Sequence, residues 1–172
     1  MSPVLFNQGV SSNTGITDEM TVELHSANAP FGFVASSVAT LHTNGMATCT
    51  FNSAGPGNYY VVVKHRNALQ TWSATPVLLN AAATTYNFTN ASNKAYGDNM
   101  IEVEPGVWAF YSGDISLDEN IDLTDFLQYE NDANNFLSGY LSTDLNGDGS
   151  VDLLDAPPLE NNISNFIYTI HP

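Results

Sequence analysis

The chain has 172 residues, 43% of them hydrophobic, which is enough apolar material for one or two packed domains and excludes a disordered acidic tail. Its formal net charge is −15, because 18 Asp and Glu residues face only three cations, Lys64, Arg66 and Lys94. Nucleic acids and anionic membranes are bound through clusters of Lys and Arg, so we expect no nucleic-acid partner and no membrane insertion.

Residues 3–110 show alternating apolar and polar positions, interrupted by turns rich in Gly, Asn, Ser and Pro. This pattern predicts an all-β sandwich, with Tyr59–Val63, apolar on both faces, as its central strand. Asn44-Gly45 predicts a type I′ hairpin between the third and fourth strands. The candidate strands are Val4–Val10, Thr21–His25, Phe33–His42, Met46–Phe51, Tyr59–Arg66, Thr71–Ser73, Val77–Leu79, Thr84–Phe88 and Val107–Phe110.

Two of the three cations fall on one predicted strand. Lys64 and Arg66 share a face of this strand, and Trp72 follows a short loop later. One interpretation is a structural cluster of ion pairs with a cation–π contact to Trp72, and the other is a binding site for an acidic ligand. We favour the structural interpretation, in which loss of Arg66 lowers stability because it leaves a partly buried partner unpaired.

The chain offers no pattern typical of an active site. The lone histidines His25, His42 and His171 lack the paired spacing of zinc ligands, and no Ser or Cys lies in a recognisable nucleophile motif. We therefore expect a protein that is not an enzyme.

The stretch DLNGDGSVDLLD, residues 144–155, has the spacing of a calcium loop of the EF-hand type. Calcium takes six to eight oxygen ligands, which short carboxylate and amide side chains at alternating positions supply. A second loop with the same spacing begins thirty residues earlier. The predicted ligands of two Ca²⁺ ions are Asp114, Ser116, Asp118, Asn120 (carbonyl), Asp122 and Asp125 in the first loop, and Asp144, Asn146, Asp148, Ser150 (carbonyl), Asp152 and Asp155 in the second.

The duplication extends past the loops, which makes it stronger than a single motif. Each loop is followed by a predicted short helix, Phe126–Asn134 and Ala156–Ser164, capped by the last Asp of the loop. Two departures are an Asp rather than Glu at position 12 and Glu119 rather than Gly at position 6 of the first loop. The alternative is solvated Asp and Asn turns without metal. A small core between the two units is predicted from Phe136, Tyr140, Ile163, Phe166 and Ile167.

The acidic charge is concentrated in the duplicated part, where twelve Asp and Glu follow residue 113 without any Lys or Arg. Two Ca²⁺ ions would cancel four of these charges, so we expect the metal to stabilise this part. Free calcium is abundant outside cells, which favours a secreted or cell-surface protein. The first nine residues do not form a secretory signal, so we expect a mature fragment whose leader has been removed.

The chain resembles a family of secreted cell-surface proteins of the Bacteroidetes over nearly its whole length. The likeness is carried by PVLFNQGV, TVELH, VVVKHRNALQTWSATPV, NKAYGDNMIEVEPGVWAFYSGDI and the two repeats ending in NNISNFIYTIHP. The resemblance implies an immunoglobulin-like β-sandwich, residues 1–111, followed by a type I dockerin-like calcium-binding module, residues 112–172, with the loop ligands named above and no catalytic residue. In this family a further strand usually precedes the region of residues 3–10, so the sandwich is expected to lack a strand.

Two functions follow from these expectations. The first is a structural subunit that self-associates into a filament or cell-surface assembly, with the N-terminal segment Pro3 to Val10, or another exposed strand, completing a neighbour's sheet. The alternative is a dockerin-type anchor that plugs a secreted protein into a cohesin-like receptor or other cell-surface partner. The repeat-related residues Leu127 and Pro157, and likewise Tyr129 and Leu159, are unlike one another, which weakens the anchor interpretation.

Overall fold

The computed structural model describes residues 1–80 and 82–172. Within these ranges no helix is both long and apolar enough to cross a membrane. The elements in chain order are α1 (Val4–Asn7), β1 (Ile16–Ser26), β2 (Phe33–His42), β3 (Gly57–His65), β4 (Ala68–Trp72), β5 (Val77–Leu79), 3₁₀ turns at Ser92–Lys94 and Tyr96–Asp98, β6 (Ile101–Glu104), β7 (Val107–Ala109), α2 (Leu123–Asn134) and α3 (Ala156–Ser164).

The first part of the chain forms an antiparallel five-stranded sheet in the order β2-β1-β3-β4, with β5 also paired to β3. The long central strand β3 pairs with β1 on one edge and with β4 and β5 on the other. Val62, at its centre, is completely buried, as its apolar neighbours predict. A separate hairpin pairs β6 with β7. The prediction of a mainly β fold is confirmed.

Several predicted strands are absent, and one strand was missed. Val4–Val10 was predicted as a strand, but its first residues form α1, closed by a hydrogen bond from the Gln8 N–H to the Val4 carbonyl. Neither Met46–Phe51 nor Thr84–Phe88 joins a ladder. The predicted hairpin at Asn44-Gly45 is therefore wrong, although the chain does turn there, with the Met46 N–H bound to the Asn44 side chain. Strand β6 was not predicted.

Both helices follow their loops as predicted. Helix α2 begins three residues earlier than expected, because Asp122 rather than Asp125 is its N-cap and the two side chains form a reciprocal capping box. Helix α3 has the predicted bounds, with its prolines in the first turn, where the missing N–H groups have no intrahelical partner. Asp155 is its N-cap residue, but its side chain does not cap the helix as predicted, because its carboxylate accepts N–H groups of the loop instead.

Two clusters of buried side chains hold the molecule together. One lies on the sheet around Tyr60, Val62 and Trp72. The other combines residues of both loop–helix units with one residue of strand β4: Leu69, Ile115, Ile121, Tyr129, Val151 and Leu159. Because Leu69 belongs to this second cluster, the sheet and the duplicated unit share a core. The division at residue 112 stays a prediction.

The predicted small core of the duplicated unit is wrong in its aromatic members. Phe136 is 89% exposed and Phe166 is 83% exposed, while Tyr140, 40% exposed, bonds Asp18 of β1 through its hydroxyl instead of packing between the two units. Ile163 and Ile167 do pack, at the edge of the second cluster. Both phenylalanines come two residues after a helix ends and have positive φ values of 52° and 53°, which turns their side chains away from the helix face.

Candidate metal centre and docking surface

The two predicted metal loops have the same backbone conformation. Position 4 is left-handed in both, with φ of 59° at Leu117 and 75° at Gly147. Position 6 is also left-handed, with φ of 73° at Glu119 and 94° at Gly149. A non-glycine residue in this region costs on the order of 1 kcal/mol. The first loop therefore carries strain at two positions where the second loop has glycine.

The carboxylates at positions 1 and 12 organise each loop through equivalent hydrogen bonds. The position 1 carboxylates of Asp114 and Asp144 both accept the N–H of position 6, at 3.2 and 2.9 Å. The position 12 carboxylates of Asp125 and Asp155 accept the N–H groups of positions 2, 3 and 9, namely Ile115, Ser116 and Asp122 in the first loop and Leu145, Asn146 and Asp152 in the second. The internal repeat is thus a repeat of geometry as well as of sequence.

These four carboxyl groups are nearly or completely removed from solvent. Burial, helped by the negative charge of Asp125, raises the pKa of Asp114 to about 6. Burial also raises the pKa of Asp144, although the Gly149 and Gly147 N–H groups oppose the shift. Buried carboxylates are unfavourable unless they are paired, hydrogen-bonded or bound to a metal.

The remaining predicted ligands lie on the outer side of the loops. Side chains at positions 5 and 9 accept N–H groups two residues ahead, as Asp118 does from Asn120 and Asp152 does from Leu154. The predicted ligands that are exposed to solvent are Asp118, Asn120, Asp122, Asn146, Asp148, Ser150 and Asp152.

The donor set fits calcium in its chemistry. All side-chain donors are oxygens, and a carboxylate has about four lone-pair sites, so Asp125, which accepts three N–H groups, keeps room for a metal. The Ser116 Oγ, at position 3, is buried without a hydrogen-bond partner among the described residues. Over residues 1–80 and 82–172, no three His, Cys, Asp or Glu side chains form a group that could hold a metal ion. In neither loop does the described part of the chain bring three of the predicted Asp ligands together, so the two calcium sites stay a prediction, in which oxygens at positions 3 and 7 complete the ligand set.

Residues from the first part of the chain hydrogen-bond to the second loop. Asn67, in the turn after β3, donates from its side chain to the Asp144 carbonyl at 3.1 Å, and its own carbonyl accepts the Gly113 N–H. It thus contacts the start of both loops. The Gln8 side chain, just after α1, donates to the Asp144 carboxylate. Sequence reasoning missed Asn67 and Gln8, because an isolated polar residue carries no spacing that points to a distant loop.

Two of the cations, Lys64 and Arg66, form ion pairs with residues of β1, and the predicted cation–π contact to Trp72 is not made among the described residues. Arg66 pairs with Asp18 at 3.0 Å, and its guanidinium lies 4.6 Å from the ring centre of Tyr140 rather than over Trp72. Lys64 pairs with Glu23 at 3.0 Å. Burial raises the pKa of Asp18, but hydrogen bonds from His65 and Tyr140 more than offset it and hold that pKa well below its usual value.

Repeat-related apolar side chains project into solvent from the two loop–helix units. Leu123 is 67% exposed and its counterpart Leu153 is 82% exposed, which matches the exposure of the two phenylalanines. Leu127, one turn after Leu123 on α2, is also exposed. We call Leu123, Leu127, Phe136, Leu153 and Phe166 the exposed apolar set.

The solvent exposure of each residue decides which differences between the two repeats can affect a partner. Tyr129 and Leu159, whose difference weakened the anchor interpretation, are buried in the core and cannot meet a partner. Leu127 and Pro157 are both exposed and both apolar. The solvent-facing positions are therefore more alike than the sequence comparison suggested.

No protein-family model and no curated protein matches the chain. Two solved structures are similar to it, both mutants of the type II Cohesin-X-Dockerin complex from Acetivibrio cellulolyticus, one altered at the N-terminal interface and one at the C-terminal interface. In each case the identity is 19%, with 84% of this chain and 80% of the other covered, and the TM-scores are 0.49 and 0.46.

Proposed function

We propose that the chain is a non-catalytic, extracellular anchoring module that binds a cohesin-like protein through its duplicated loop–helix units. In this proposal residues 1–111 are an immunoglobulin-like sandwich and residues 112–172 are a dockerin-like module with two Ca²⁺ ions. The observation that carries it is the outward projection of Leu123 and Phe136 together with their repeat partners Leu153 and Phe166. Exposed apolar residues at repeat-related positions are typical of a surface that a protein partner covers.

Calcium has a structural role in this function. The buried loop carboxylates of Asp114, Asp125, Asp144 and Asp155 belong to the loop–helix units that carry the exposed apolar set, so a cation that neutralises them would stabilise both units. A site that exists only in the folded chain couples metal binding to folding. Partner binding would then depend on calcium, although the metal contacts no partner atom.

The test is binding to a panel of purified cohesin modules by calorimetry, in calcium and in EDTA. We expect at least one module to bind in calcium only, and the double variant Leu123→Ser, Leu153→Ser to bind it at least tenfold more weakly. Val38→Ser is the matched control, because Val38 is equally exposed but lies on β2. Unchanged binding by the double variant, or no binding by the wild-type chain to any module, would contradict the proposal.

A filament subunit is the second candidate, favoured by the edge of the sheet. Strand β2 pairs only with β1 among the described residues, and it exposes Phe33, Val34 and Val38. Such an edge can accept a strand from another copy. However, Pro3 to Val10, the segment expected to donate that strand, begins with α1 and packs on the second loop. This candidate therefore needs another donor segment.

A further inference from the structure

We infer that Gln8 is a positioning residue for the second metal loop, so that the calcium affinity of this loop depends on the N-terminal segment. The inference rests on the proposed calcium sites and adds a residue that lies 136 positions before the loop it serves. Neither the loop pattern nor the duplication includes this residue.

The N-terminal segment lies directly on the second loop. A Cβ placed on Gly147 would come within 2.6 Å of Val4, and one placed on Gly149 would lie 3.5 Å from the Gln8 side chain. Val4 and Leu5 are buried, which anchors the segment beside the loop. The Gln8 Nε2 donates to Asp144 Oδ2, which also accepts the Gly149 N–H.

The orientation of the Gln8 carboxamide follows from the charge of its partner. Its nitrogen faces the Asp144 carboxylate, and its Oε1 is buried without a hydrogen-bond partner among the described residues. A buried carbonyl without a partner is unfavourable, so the bond to the carboxylate has to offset that loss. Such a donor fixes the rotation of the carboxylate. Because Oδ1 also accepts the Gly147 N–H, about one of the four lone-pair sites remains for a metal.

The first loop has no equivalent donor. Within residues 1–80 and 82–172, the Asp114 carboxylate accepts hydrogen bonds only from the N–H groups of Asp118 and Glu119, both in its own loop. Loss of the Gln8 donor should therefore weaken the second site and leave the first unchanged. Hydrogen-bond partners of metal ligands typically change affinity by about 10- to 100-fold when they are removed.

The experiment is a calcium titration of the full chain against a chromophoric chelator, which resolves two stepwise dissociation constants. The key variant is Gln8→Met, which keeps the length and packing of the side chain but removes the donor. Gln128→Ala, at an exposed position of α2, is the control. Repeating the titration with Asp155→Ala, which disables the second loop, assigns each constant to its loop.

For Gln8→Met we expect the dissociation constant of the second loop to rise about 10- to 100-fold, with the first loop changed by less than about twofold. Equal constants for wild type and Gln8→Met would overturn the inference while leaving the calcium proposal intact. Equal weakening of both loops would also overturn it, since that indicates general destabilisation. If the wild-type chain binds no calcium, the proposed function fails first and the inference with it.

If Asp155→Ala does not fold, terbium luminescence replaces it. Tyr129, which bonds the Asp152 carbonyl, sensitises an ion in the second loop, so this signal assigns a dissociation constant to that loop.

Discussion

Arg66 and Asp18 form an ion pair whose carboxylate is only 2% exposed, with 3.0 Å between the Arg66 Nε and the Asp18 Oδ2. The same guanidinium donates to the Leu141 carbonyl, which lies three residues before the second loop. One side chain therefore connects strand β1, the β3–β4 turn and the approach to the loop. His65, at 3.0 Å, and the Tyr140 hydroxyl also bind Asp18, whose carboxylate accepts the Glu19 N–H as well, so it keeps three partners when the arginine is removed.

Arg66→Ala should lower the free energy of unfolding by about 2 kcal/mol, because it removes hydrogen bonds to a buried charged group. Lys64→Ala should cost less than about 1 kcal/mol, since its ion pair with Glu23 is much more exposed. Urea unfolding of both variants measures the difference. A fully stable Arg66→Ala protein that loses partner binding would show that the cation serves recognition instead.

Tyr140 should ionise at a higher pH than an ordinary tyrosine. Burial and its hydrogen bond to Asp18 raise the pKa of its hydroxyl to about 12. Because the folded pKa lies above the usual value of about 10, this contribution to stability is complete below pH 10 and is lost as pH rises towards 12. Phenolate absorbance should show one tyrosine ionising near pH 12, which disappears in Tyr140→Phe. An identical titration curve for that variant would refute the assignment.

The loops were predictable, whereas the contacts between the loops and the β part were not. Twelve-residue spacing and a thirty-residue offset placed Asp114 and Asp144 at equivalent positions, because the local backbone of such loops follows from nearby residues. The bond from Gln8 to Asp144 joins residues far apart in the chain, and no local periodicity encodes it. The prediction of a strand at Val4–Val10 was wrong for the same reason, since packing on the loop favours a short helix there.

The direction of the Phe136 and Phe166 side chains shows a second feature that the sequence pattern did not predict. Helical periodicity assigns faces only while the backbone stays helical, and both residues lie beyond the last helical residue with left-handed φ. Sequence reasoning therefore placed in the core two side chains that are in solvent. Within Met46–Phe51 the side chains do alternate, because Ala47, Cys49 and Phe51 are half-buried between exposed residues, but no strand of the described residues pairs with them.

Gly147→Ala should destabilise the chain more than Gly9→Ala. Both glycines have positive φ, 75° and 71°, so both substitutions introduce similar backbone strain. Of the two, only Gly147 gains a Cβ that collides, with Val4 at 2.6 Å, whereas no atom of the described residues lies within 4 Å at Gly9. Overpacking costs about 1–3 kcal/mol, which is the expected difference between the two unfolding free energies. Equal values would show that α1 does not rest on the loop in solution.

The anchoring proposal predicts a monomer in calcium. Light scattering on the purified chain at millimolar calcium should give the mass of one copy, 18.5 kDa, over the accessible range of protein concentration. A mass that grows with concentration, together with fibres in electron micrographs, would favour the filament candidate and its open β2 edge over the anchor.

Calorimetric titration of calcium into the metal-free chain, paired with thermal unfolding in calcium and in EDTA, tests directly whether the two loops bind calcium and are stabilised by it. Two ions should bind per chain, and the unfolding temperature should be markedly lower in EDTA, because metal binding to sites formed only on folding contributes to stability. Asp144→Ala should reduce the stoichiometry to one. An absence of calcium heat, with the same unfolding curve in EDTA as in calcium, would contradict the account.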